Sequence, residues 1–183
     1  MARTFASGIL VPGYHNEPAV SFQRQVSQAL DTEHRANIDL LGRVEQAFAR
    51  TRRTGIAHDA DLGKLAGALV RQIEQDIGRH FDFEERELFP RLADAGEGDI
   101  AALLAEEHEA IRAVAAEVLP LARAAATATL DDAGWDALKR GAFELVERQV
   151  AHIQKETMAL LPMLEDLLDE DSDRDLALAY ASC

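Results

Sequence analysis

Residues 80–90 read HFDFEERELFP and residues 152–162 read HIQKETMALLP. In each stretch a histidine is followed four positions on by a glutamate and ten positions on by a proline. A lone histidine precedes each copy: His34 lies 46 residues before His80, and His108 lies 44 before His152. His80 to His152, Glu84 to Glu156 and Pro90 to Pro162 are each displaced by 72 residues, and His34 to His108 by 74, which is the signature of a duplicated two-helix unit. On a helix, residues four apart share a face with Cβ atoms about 5–6 Å apart, so each His-x-x-x-Glu aims two donors at one point. With His34 and His108 the set offers four imidazoles and two carboxylates able to bridge, enough for two metal ions. Neutral nitrogen and anionic oxygen donors suit iron and its borderline neighbours.

Around these stretches the hydrophobic pattern is helical almost throughout residues 21–168, and nothing alternates with period two over a strand's length. The first helix is expected from Ser21 to Arg53, with Phe22, Val26, Leu30, His34, Ile38, Leu41, Val44 and Phe48 on one face. The second is expected to open at Asp59 or Asp61, to carry Leu62, Leu65, Leu69, Ile73, Ile77, His80, Glu84 and Leu88, and to be ended by Pro90 together with Gly96 and Gly98. The third starts near Asp99 and presents Leu104, His108 and Ile111, with Pro120 kinking or shortening its far end. The fourth opens at Thr129–Asp132 and stacks Leu138, Leu145, Gln149, His152 and Glu156 before Pro162. The class is all-α, an antiparallel up-down-up-down four-helix bundle. One domain is expected over 1–183: an irregular arm at 1–20, the bundle at 21–168 and a short tail at 169–183.

Composition narrows the function. With 19 Lys and Arg against 33 Asp and Glu the net charge is −14, which argues against a nucleic-acid partner, since that needs a clustered basic surface. The only cysteine is Cys183, so the chain holds no intramolecular disulfide, cysteine zinc site or iron–sulfur cluster. Met1–Gly13 lacks a convincing signal segment, and no apolar stretch approaches the roughly 20 residues of a membrane span. A cytoplasmic protein is expected. The Glu-x-x-His motif of ferritin-like bundles and the His-Glu-x-x-His motif of zinc peptidases are both absent.

The ordered set His34, His80-x-x-x-Glu84, His108, His152-x-x-x-Glu156, with Glu33 and Glu107 each preceding a lone histidine, resembles the hemerythrin-like, or HHE cation-binding, family over about residues 25–168. The resemblance implies a non-haem di-iron centre between four helices, two iron ions joined by an oxo or hydroxo bridge and by Glu84 and Glu156. Oxygen carriers of that family place a further histidine four residues after the third-helix ligand, and here that position is Arg112. The four-His, two-Glu set is more similar to that of iron-centre repair proteins associated with nitrosative stress, although their cysteine-containing amino-terminal domain is not in this sequence. The resemblance therefore implies a small ligand such as O2, NO or peroxide. Two roles follow: redox or repair chemistry, including reduction of nitric oxide or peroxide, or a sensor, store or carrier without turnover. Glu33, Glu107 and Asp76 read either as hydrogen-bond partners of the ligand histidines or as solvated faces. Glu85 and Glu87 read as surface charges, and Tyr14, His15 and His58 as loop or helix-start residues.

Overall fold

The structure, a computed structural model, describes residues 21–50 and 60–182, apart from the side chains of Ala60 and Asp76. Tyr14, His15, His58, Asp59 and Cys183 lie outside the described residues, as does the Asp76 side chain. Among the described residues there is no strand. Helix α1 is Gln25–Arg50. Helix α2 begins as Ala60–Arg71 and continues through π-helical Gln72–Ile77, α-helical Gly78–Phe83 and π-helical Glu84–Leu88 to Phe89–Asp94. Helix α3 is Gly98–Ala126. Helix α4 begins as Asp132–Lys155, passes through π-helical Glu156–Leu160 and finishes as Leu161–Leu167. A fifth helix, α5, is Glu170–Ser182.

Neither Pro90 nor Pro162 by itself ends its helix. Pro90 and Pro162 each stand at the start of the α-helical stretch that follows a π-helical turn, and α2 runs on to Asp94. A proline inside a regular α-helix removes one hydrogen bond and crowds the carbonyl four residues back. The wider π turn relieves that crowding, and it opens at Glu84 and at Glu156, the second residue of each ligand pair. Helix α2 stops at Gly96, one of the two glycines expected there, whose φ of +93° only glycine adopts freely, with the Glu97 amide donating to the Leu92 carbonyl at 2.8 Å. Helix α3 continues past exposed Pro120 to Ala126. Asp131 caps α4, accepting from the Gly134 amide at 2.7 Å.

The four long helices pack as a ring, α1 against α2 and α4, and α3 against α2 and α4. His34, near the start of α1, meets His80, in the latter half of α2, so these neighbours run antiparallel. Two apolar blocks fill the interior. One contains Leu41, Phe48, Leu69, Ile73, Ile111, Trp135 and Leu145. The other contains Leu30, Leu88, Leu92, Leu104, Leu160 and Leu164. Each fully buried leucine contributes about 1.5–3 kcal/mol relative to exposure. The polar residues of the two His-x-x-x-Glu pairs sit in the same buried interior, at no more than 4% exposure.

The expected short tail is α5, a docked helix. Asp173, Leu176 and Tyr180, spaced three and four apart, are buried, and the last two join the second apolar block. Asp173 also caps α1 from outside its own helix, accepting from the Gln25 and Val26 amides at 2.8 and 3.0 Å. Glu165 does the same for the Gln23 and Arg24 amides at 2.7 and 3.0 Å. Both carboxylates face the positive end of the α1 dipole. Asp173→Ala removes two of these bonds and should lower unfolding stability by about 1–2 kcal/mol. Chemical denaturation measures this, and an unchanged midpoint would show that α5 does not hold the start of α1.

Candidate metal centre

The duplicated helices bring their six donors to one place midway through the bundle. His34 of α1 and His80 of α2 face each other with Nε2 atoms 3.4 Å apart, and His108 of α3 and His152 of α4 do so at 3.0 Å. Glu84 lies between the pairs: Oε1 is 3.3 Å from His80 Nε2, and Oε2 is 3.2 Å from His108 Nε2. Glu156 does likewise, with Oε2 3.1 Å from His34 Nε2 and Oε1 2.7 Å from His152 Nε2. Each carboxylate thus gives one oxygen to each pair of imidazoles. Two overlapping groups result, His34–His80–Glu84–Glu156 and Glu84–His108–His152–Glu156, in which the donor atoms lie within 4.8 Å of one another.

Both carboxylates are fully buried, and none of their four oxygens has a hydrogen-bond partner. The nearby imidazole nitrogens approach within ion-pair range but without the alignment of a hydrogen bond. Buried carboxylates left in this condition are costly unless a cation meets them. Each group is capable of holding a metal ion, and the donor chemistry, two nitrogens and two oxygens each, fits one.

The opposite ring nitrogens explain why the Nε2 atoms can face inward. Each Nδ1 has a partner outside the site: Thr157 Oγ1 at 3.2 Å for His34, Glu33 Oε1 at 3.2 Å for His80, Glu85 Oε1 at 2.8 Å for His108, and Glu107 Oε2 at 3.0 Å for His152. An imidazole that donates from Nδ1 keeps its Nε2 lone pair free for a metal. The duplication extends to these partners. Glu33 and Glu107, each preceding a lone histidine, serve the histidine of the neighbouring helix; Glu85 and Thr157, each following a bridging-position glutamate, serve the lone histidines.

Two of these partners correct the sequence reading. Glu85 is not a free surface charge, because its carboxylate is held between His108 and Arg112, 2.7 Å from the Arg112 Nη1. Glu87 is the ordinary surface residue expected, paired with Arg91 at 3.1 Å. Thr157 and Tyr180 were not foreseen. Tyr180 brings its hydroxyl to 3.2 Å from His80 Nδ1 and donates a short hydrogen bond to Glu33, which Arg79 also binds at 2.5 Å. The spacing of Asp173, Leu176 and Tyr180 was the available signal for that inward face. Arg112, at the position of the carriers' extra histidine, turns to Glu85, Asp82 and Glu109 and lies over the Phe81 ring, 5.4 Å from its centroid.

These contacts set the charges. Burial pushes Glu33 up, but the hydrogen bond and charge of His80, with Tyr180 and Arg79, bring it down to about 2. Burial likewise acts against Glu85 and Glu107, and the Arg112–His108 and Lys155–His152 partners hold both below the ordinary carboxylate range. The outer carboxylates are therefore ionised acceptors rather than proton donors. Burial disfavours the charged rings of His80, His108 and His152, but the carboxylates around them outweigh it and raise all three, His108 to about 9.

Aromatic and aliphatic side chains shield the centre. Phe81 stacks on His108, centroids 3.7 Å apart and planes 8° from parallel, and Phe89 lies 5.4 Å from the same ring. Beside the centre a small cavity of about 10 Å³, room for about one water molecule, is bounded by His34, His80, His152, Glu156, Phe81 and Ile77. No helix among the described residues is long and apolar enough to cross a membrane.

No curated protein matches the chain. The family model of the hemerythrin HHE cation binding domain matches residues 25–164, a span that contains all six inward donors, and the chain belongs to that family.

Proposed function

We propose that the protein is a non-haem di-iron protein whose centre reacts with a small ligand, O2, NO or peroxide, in oxidative or nitrosative stress defence or iron–sulfur centre repair. His34 and His80 would hold one ion and His108 and His152 the other, with Glu84 and Glu156 offering a carboxylate oxygen to each. The observation that carries this reading is the set of four buried, partnerless carboxylate oxygens shared between two histidine pairs. When bound, an iron pair supplies one-electron exchange with such a ligand. The protein's own residues do the rest. Glu33, Glu85, Glu107 and Thr157 fix the imidazole tautomers, Phe81 and Ile77 keep bulk water away, and the cavity beside His34 and His80 admits only a small molecule.

The two buried inner carboxylates place a negative field at the centre, since each outer carboxylate is paired with a cation, Arg79, Arg112 or Lys155, and that field favours the more positive, oxidised metal state. Arg112 supplies no imidazole in the carriers' extra position. Reversible oxygen carriage is accordingly disfavoured. Protein purified from iron-supplied cells should hold about two irons per chain, and its reduced form should oxidise on exposure to air without recovery under argon while reacting readily with nitric oxide or hydrogen peroxide. Metal analysis and stopped-flow spectroscopy measure these. One zinc per chain, or no metal, sinks the di-iron reading. The tight enclosure of the centre favours one alternative, a sensor, store or carrier without turnover. A reversible oxygenated spectrum, or ligand binding with no turnover when an electron donor is supplied, would establish that alternative.

A further inference from the structure

The internal duplication makes the two halves of the centre nearly equivalent, so a difference between matched positions carries information. His80 and His152 are matched, and each gives its Nδ1 to a carboxylate, Glu33 or Glu107, that also binds a cationic side chain. His34 and His108 are matched too, but their partners differ in kind: the hydroxyl of Thr157 for His34, the carboxylate of Glu85 for His108. An anionic acceptor draws the Nδ1 proton outward and makes Nε2 a stronger donor, and losing such a partner typically weakens metal binding about 10–100-fold. The His108–His152 pair has two anionic acceptors. The His34–His80 pair has one.

Access differs in the same direction. His108 is covered by Phe81 and Phe89 and has no exposed surface, so only His152 of its pair borders the cavity, whereas both His34 and His80 border it. The better-donating pair thus has one ring shut off by aromatics, and the weaker pair has both rings at the cavity. Resting on the dinuclear reading above, we propose that the two positions hold their ions with unequal strength: the ion at His34–His80 is exchangeable, while the ion at His108–His152 is retained. Thr157 and Glu85 are the positioning residues that set this difference.

The test is release of iron from the anaerobic ferrous protein to a ferrous-specific chelator, with the iron content measured beforehand. Two equal phases are expected, about 10–100-fold apart in rate. Glu85→Thr, which copies the other half, should accelerate only the slow phase and merge the two; Glu85→Gln, which keeps an acceptor without the charge, should fall between. Glu85 is partly exposed, so these variants should fold, and circular dichroism of the stripped protein checks it. Thr157→Glu should slow only the fast phase. Release of both ions in one phase from the wild type, or acceleration of the fast phase alone by Glu85→Thr, overturns the proposal and leaves the dinuclear reading intact. Fewer than two irons per chain before chelation overturns that reading instead.

Discussion

Glu156→Ala protein, expressed with ample iron, should retain almost no metal, with both ions lost together. The carboxylate gives Oε2 to the His34 side and Oε1 to the His152 side, and no other described carboxylate except Glu84 reaches both groups. Removing it leaves each position two imidazoles and a single oxygen, with the negative charge of the pocket halved where the cations sit. Glu84→Ala should behave alike for the same reason. Glu85→Ala should be milder, weakening one position about 10–100-fold through His108 while leaving the other in place. Metal content by elemental analysis, after equal washing with a weak chelator, separates these outcomes. Equal losses at 84, 85 and 156 would mean that the bridging geometry has no special role.

The second large effect is on stability. Metal bound only by the folded chain stabilises it by about 4 kcal/mol per site when free metal exceeds its dissociation constant a thousandfold. The difference between loaded and stripped protein should also grow with pH. In the stripped protein, His80, His108 and His152 hold their protons more tightly folded than unfolded, because the carboxylates around them outweigh the cost of burial. Stability from such groups is full below the ordinary histidine value of 6.5 and is lost as pH rises through the folded value, about 9 for His108. In the loaded protein those imidazoles must be neutral, so protons compete with metal at low pH and cease to compete as pH rises. Thermal or denaturant unfolding at pH 6, 7.5 and 9 should show the two forms diverging. Parallel curves, or a gap that narrows at pH 9, would mean that metal does not replace protons at these nitrogens.

Periodicity, spacing and chemistry in the chain itself determined the helical class, the four long helices and the six inward donors. A repeat of three and four residues states which face of a helix is buried, and two matching His-x-x-x-Glu pairs at a fixed displacement state that the faces converge. Which helix a residue at the edge of that face meets is a different matter, because it depends on how neighbouring helices are rotated and spaced. Glu33, Glu85, Glu107 and Thr157 each sit one position from a donor, at the border between core and solvent, and only the packed bundle assigns each to an imidazole of another helix. Tyr180 is farther still, brought to His80 by a helix whose buried stripe is only Asp173, Leu176 and Tyr180. Pro90 and Pro162 read locally as stops. Tertiary packing carried both helices past them through π turns, since the apolar residues beyond, Leu92 and Leu164, are fully buried in the second block of the core.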